Sequence, residues 1–193
     1  MKLDINKIEL KELTENIYQI LYEGKSLKFW SPTILIPFGL EYEYNKQILK
    51  AELNEHEDNK YKNEHIHLKK LILHIEKLIK EKINMNNDAI DAIDAIDTID
   101  AIDQFKSIIK KRHNRSDMIE CRIKKMKNNI MTLIEYEDKE HNYLKTIYDL
   151  PKQSYVKIQF EINGLFDYRN DVNKNEKNKT GLIVYATKII VLK

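Results

Sequence analysis

The chain has 193 residues, with 33 Lys plus Arg against 31 Asp plus Glu, six His, one Cys and one Trp. At 42% apolar and 33% charged it is too hydrophobic for a disordered tail and too polar for a membrane protein, and its longest apolar runs, 33–40 and 181–187, fall short of the roughly 20 residues a bilayer span needs. A lone Cys121 excludes an internal disulfide and a cysteine-based zinc site, the opening residues carry Asp4 and no sustained apolar stretch, and the length suits one domain over 1–193 in an intracellular, reducing setting.

In chain order, Leu3 and Ile5, then Ile8 and Leu10, alternate with polar residues, and a strand over 16–22 follows with a turn at Gly24. A strand over 29–36 ends at Pro37, and 40–44 joins 47–53 through Asn45-Lys46, a two-residue hairpin turn. Ile66, Leu68, Leu71, Ile72, Ile75, Leu78, Ile79 and Ile83 recur at helical spacing while Lys69, Lys70, Lys77 and Lys80 take other faces, which predicts an amphipathic helix over 64–83. From Asp88 to Asp103 the chain repeats Asp-Ala-Ile with one Thr. At a period of three, successive Asp residues walk around a helix and leave no fixed apolar face, and alternation of two is absent as well. The repeat fits a low-complexity insertion at 86–103 in a surface loop. Its carboxylates do not converge as a hard-cation site requires, and the glycine of a helix–loop–helix calcium loop is missing.

After the insertion, Phe105, Ile108 and Ile109 predict a second short helix over 104–112. Ile119, Cys121 and Ile123 alternate with Glu120, Arg122 and Lys124 as a strand, and Asn128-Asn129 turns the chain into a strand over 130–136. Val156, Ile158, Phe160 and Ile162 alternate with Tyr155, Lys157, Gln159 and Glu161, and a β-branched run over 182–192 closes the series beyond a polar loop at 167–181. The fold class expected is mainly β with α: an elaborated antiparallel barrel like the oligonucleotide-binding (OB) fold, with one long amphipathic helix and a low-complexity loop insertion. A split α+β sandwich with the helix on one face is the alternative.

Charge is unevenly spread. Removing the six acids of the repeat from a net charge of +2 leaves the remainder at +8, and Lys106 to Lys127 holds nine basic residues, including Lys110, Lys111, Arg112, Arg115, Arg122 and Lys124, against Asp117 and Glu120. That density suits a polyanion; the bland reading is a solvated lysine-rich face. No catalytic constellation stands out. Gly24-Lys25-Ser26 lacks the glycine a phosphate loop needs at position 19, which is Gln, and four glycines cannot build a cradle. His65, His67 and His74 read as surface or helix-start histidines, since His67 and His74 lie two turns apart, and Cys121 reads as a small core residue. The chain is therefore expected to be a non-enzyme without metal or cofactor.

A groove for single strands needs cations along the phosphates and flat rings for the bases. The basic segment supplies the first, and Phe29-Trp30, Phe38, Tyr42, Tyr44, Phe166, Tyr168 and Tyr185, on strands or their ends, are candidates for the second. Trp30 and Phe38, beside Pro32 and Pro37, also suit a core. Tyr168 and Arg169 in the polar loop form a solvent-facing pair, and Lys157 adds a phosphate contact from the polar side of its strand.

The order Pro32, Pro37-Phe38-Gly39, Gly164-Leu165-Phe166 and Gly181-Leu182 resembles a family in nucleocytoplasmic large DNA viruses that is similar to OB-fold single-stranded DNA-binding proteins of viruses and phages. The resemblance spans most of the chain outside 84–104. It departs from the pattern at Phe166-Asp167, half of an aromatic pair, and in closing on Leu192-Lys193 where several phage relatives carry an acidic tail. It implies sequence-independent single-stranded DNA binding in viral genome replication, repair or recombination, in the host cytoplasm or nucleus, with viral replication proteins as further partners. RNA stays open as a second strand type, since stacking and phosphate contacts do not read the sugar. The competing reading is a viral structural or scaffolding protein that uses the barrel for protein contacts.

Overall fold

The structure, a computed structural model, describes residues 3–14, 16–43, 46–88, 105–127, 129–137, 150–167 and 180–192. The acidic repeat from residue 89 onward, Tyr44, the Asn45 turn position, Tyr168 and Arg169 lie outside them. After a 3-10 turn at Ile5–Lys7 come β1 (Ile8–Thr14), β2 (Ile17–Tyr22), β3 (Leu27–Trp30), β4 (Ile34–Ile36), β5 (Leu40–Glu43) and β6 (Lys46–Leu53). The helix α1 (Lys62–Asp88) follows, then the short strands β7 (Phe105–Lys106) and β8 (Ile109–Lys110), β9 (Asp117–Ile123), β10 (Lys125–Met126), β11 (Asn129–Ile130) and β12 (Leu133–Tyr136). Two long strands, β13 (Ser154–Asp167) and β14 (Thr180–Val191), complete the chain. Among the described residues no helix is long and apolar enough to cross a membrane.

The chain groups into two compact units. Residues 28–69, 108–161 and 184–193 contain a closed five-stranded barrel, with ring order β4-β6-β9-β14-β13 and back to β4. Counted along the sequence, the ring reads 1-2-3-5-4-1, a Greek-key closure that leaves the barrel without edges. Alternation explains it: Leu49, Ala51 and Leu53 on β6 face the same interior as Ile119, Cys121 and Ile123 on β9, through pairs such as Leu49 with Cys121 and Ala51 with Ile119. Ile34, Ile36, Val156, Ile158, Phe160 and Ala186 fill the remainder and are fully buried. β14 pairs parallel with β9, in a barrel expected to be antiparallel. Parallel pairing depends on which strand the ring closure brings alongside, which alternation does not encode.

The first two turns of α1 belong to the barrel unit and are fixed to it by polar contacts. His65 is buried, its Nδ1 accepting the Asn54 N–H at 2.9 Å and its Nε2 donating to the Thr33 carbonyl at 2.8 Å. This corrects the surface reading of that histidine: a ring with one donor and one acceptor satisfies two backbone groups that the barrel leaves unpaired. His67 and His74 are exposed.

Residues 1–27, 70–107 and 162–183 make the second unit. The β1–β2 hairpin adds to β13 through Gln19 opposite Gly164, and β7 runs parallel to the start of β14. Ile72, Ile75, Leu78, Ile79 and Ile83 of α1 are buried here, and the buried Glu76 carboxylate accepts from the Ser107 hydroxyl at 2.9 Å. The glycines of the closing motif are steric. A Cβ on Gly164 would lie 2.8 Å from the Tyr18 carbonyl oxygen, so only glycine lets β2 approach β13 there.

Two sequence expectations are corrected. The second short helix over 104–112 is instead β7 and β8, with Ile109 opposite Ile119 and Lys110 opposite Met118. One turn of helical spacing is too short to nucleate a helix, and the backbone bonds offered by β9 and β14 win. The strands expected over 29–36 and 130–136 are each broken. Ser31 and Thr33 flank Pro32 between β3 and β4, and Thr132 interrupts the second stretch, its hydroxyl donating to the Ala186 carbonyl at 2.6 Å and accepting the Lys124 N–H at 3.0 Å.

Candidate nucleic-acid interface

On the outer wall of the barrel, the residues opposite the inward set of β9 are Met118, Glu120 and Arg122. Arg122 lies directly between Ile48 of β6 and Tyr185 of β14 in the strand register. Tyr185 alternates with the buried Val184 and Ala186, so ring and guanidinium share one face. Neither side chain makes a hydrogen bond or ion pair among the described residues. A half-buried arginine beside a tyrosine, both with unspent polar groups, presents a phosphate-sized donor fork next to a flat apolar surface.

The hairpin β5–β6 joins the first and second barrel strands at the end toward which this row lies. Tyr42 is 62% exposed, yet its hydroxyl accepts from the buried Gln47 Nε2 at 2.9 Å, which tethers the ring at one end and leaves its faces open. Phe38, 42% exposed, precedes Gly39, whose φ of +68° turns the chain into β5 and where a Cβ would come 3.1 Å from the Leu150 carbonyl. Trp30 on β3 is also 42% exposed. The core alternative for Trp30 and Phe38 is thereby corrected: Phe29 takes the inward role instead, packing at 5.5 Å on Phe160.

The structure divides the basic run that looked continuous in sequence. Lys111, Arg112 and Arg115 sit on the β8–β9 connection, near the pairing of Leu53 with Asp117, whereas Arg122 pairs five residues further along β9, about 17 Å away at a strand's rise. Arg112 donates from Nε to the Ser116 carbonyl at 2.8 Å, and Arg115 lines a shallow cleft with Glu55, Asp117 and Lys69, the lysine bridging the two carboxylates. Lys110 is half-buried on β8. Lys111 and Lys157 are exposed. Lys124 is committed to the fold: its Nζ donates to both oxygens of the buried Glu161 carboxylate, at 2.8 and 3.0 Å, with Lys28 at 3.7 Å. Lys50, opposite Glu120, pairs with Glu41 at 3.0 Å.

Tyr155 was not singled out from sequence as a site residue. Strand alternation carries the signal, since Tyr155 directly precedes the buried Val156 and shares its side of the strand with the exposed Lys157, and 54% of Tyr155 is exposed. Among the described residues no three His, Cys, Asp or Glu side chains converge as a metal site.

No family model matches the chain, and no curated protein does. Among solved structures it is similar to gp2.5, a single-stranded DNA-binding protein encoded by bacteriophage T7, with a TM-score of 0.52 and 7% identity over 87% of each chain. At that identity the likeness is one of fold.

Proposed function

We propose that this chain binds single-stranded nucleic acid with little sequence preference, using the outer wall formed by β6, β9 and β14 together with the β5–β6 hairpin. The observation that carries the reading is Arg122 beside Tyr185, without other partners among the described residues and on the same barrel as the open rings of Tyr42 and Phe38. In OB barrels the face of the second and third strands and the loop between the first two take oligonucleotides. The described positions match that arrangement, and the likeness in fold to gp2.5 supports it. Stacking on Tyr42, Phe38 and Tyr185 reads no base, and Arg122 holds a phosphate. Trp30, Lys111 and Lys157 extend the path; Arg112, Arg115 and Lys110 contribute less, given their neighbours. The motif order from Pro32 to Leu182 supports a role in replication, repair or recombination of a large DNA virus genome, inside the host cell.

Fluorescence anisotropy with a labelled poly-pyrimidine oligonucleotide at two salt concentrations tests the reading. Arg122→Glu should weaken binding by roughly tenfold or more at low salt and flatten the salt slope by about one phosphate contact. Unaltered affinity and slope would remove this wall from the interface.

A further inference from the structure

At the other end of the barrel from the β5–β6 hairpin, where β4 begins and β6 ends, an open cleft of about 520 Å³ is lined by Thr33, Asn54, Asp58, Lys60, Tyr61 and Tyr155 among others. That volume suits a small organic ligand. Tyr61 is fixed in place: its N–H donates to Asn59 Oδ1 at 3.1 Å, its carbonyl accepts from the His65 N–H at 3.0 Å, and Lys60 Nζ lies 4.8 Å from its ring centroid. The Tyr61 phenol is drawn below its ordinary value of 10.0, first by a hydrogen bond from Thr33, then by Lys60, with the charge of Lys157 also felt there. Lys157 follows Tyr155 by two residues on β13 and so shares its outward face. Asn54 Oδ1 accepts from the His56 N–H at 2.9 Å, and its Nδ2 makes no hydrogen bond among the described residues.

The cleft thus offers two phenol rings, an amide donor, the Asp58 carboxylate and the Lys60 ammonium, with Lys157 beside it on the strand face that carries Tyr155. Few ligand classes need all of these. A nucleotide does: its base has a flat face and an edge of mixed donors and acceptors, and its phosphate is an anion held a fixed distance away. We propose that this cleft takes one nucleotide unit, its base against the Tyr155 ring and its edge on Asn54 and Asp58, with the phosphate on Lys157 and Lys60. The inference rests on the reading of the barrel as a strand binder, and it adds a second contact point at the end remote from the hairpin. The unit comes either from a strand that also crosses the Arg122 wall or from a free nucleotide.

The test uses the full chain with Tyr155→Ala, Tyr155→Phe and Arg122→Glu, titrated with oligo-dT of about 4 and about 16 nucleotides, the span of footprints seen for such barrels. Thymidine monophosphate is the free-nucleotide probe. A contact made by the strand predicts that Tyr155→Ala weakens the longer oligonucleotide roughly tenfold and the shorter one not at all, while Tyr155→Phe behaves as the parent. A 5-iodouracil placed along the longer strand should then form a photo-adduct at Tyr155 or Tyr61. A contact made by the free nucleotide predicts saturable monophosphate binding that Tyr155→Ala abolishes. The inference is overturned if Tyr155→Ala matches the parent on both oligonucleotides and on the monophosphate, with adducts confined to Tyr42 or Tyr185. In that event a loss of binding in Arg122→Glu leaves the strand-binding reading standing by itself. The converse pattern, loss in Tyr155→Ala alone, keeps the cleft and sinks the wall. Tyr155 is mostly exposed and its backbone pairing with Leu35 is independent of the ring, so an unshifted melting curve is the control for folding.

Discussion

Cations drawn from one short stretch of sequence do different things in the fold. Arg122 is left with its guanidinium unspent, whereas Lys124, two residues on, neutralises Glu161. Cys121, the residue before Arg122, faces the interior, and burial pushes its thiol well above the ordinary value. The thiolate is the reactive form, so Cys121 should resist iodoacetamide in the native chain and be alkylated promptly after denaturation. Prompt labelling without denaturant would show that β9 opens readily. Arg122 was nominated from its place in a basic run; its neighbours Ile48 and Tyr185 come from strands more than sixty residues away in either direction, and only pairing reveals them.

At the scale of elements, charged side chains attach the helix and two strands to the barrel. Lys124→Met would leave the buried Glu161 carboxylate with Lys28 alone, at 3.7 Å. Because Lys124 is 36% exposed, the cost is a discounted about 1–2 kcal/mol and not the full penalty of a buried pair. The double variant Lys124→Met/Glu161→Met should recover most of that in urea unfolding, and Lys124→Met should leave the salt slope of binding unchanged. On α1, Lys69 ties Glu55 to Asp117 of β9. Partial burial pulls the Lys69 ammonium down, but hydrogen bonds from it to Glu55 and Asp117 outweigh this and hold it above its ordinary 10.5. A raised value means the stabilisation is complete below pH 10.5 and is lost as pH climbs through the folded-state value. The melting difference between the parent and Lys69→Met should therefore be level through neutral pH and shrink in strong alkali; a difference that persists there would show that Lys69 acts by packing its stem.

At the scale of the whole molecule, β-rich closure follows from repeated alternation, while the proposed binding surface follows from which strands closure makes neighbours. If backbone and stacking contacts dominate, a ribo-oligonucleotide of the same pyrimidine sequence should bind within a few-fold of the deoxy strand, with a similar salt slope. A large preference for either sugar would instead point to contacts with the 2′ position.

Alternation and helical spacing were enough to read α1, the pairing of β5 with β6, β9, β13 and β14 and the barrel class from the residues alone, because each depends on neighbours in sequence; Lys46, expected in the hairpin turn, instead opens β6 opposite Glu43. Gly164 and Gly39 were legible as motif positions, though the carbonyls that require them belong to Tyr18 and Leu150, far along the chain. The short strands β7 and β8 were misread as a helix, since a few residues hold too little periodicity to outweigh the hydrogen bonds a sheet edge offers. Long-range pairing alone decided that the basic run splits toward two ends of the barrel, that Lys124 serves Glu161, and that Tyr61 and Tyr155 share a cleft. Sequence sets which side of a strand faces inward; which strand lies beside it is set by closing the ring.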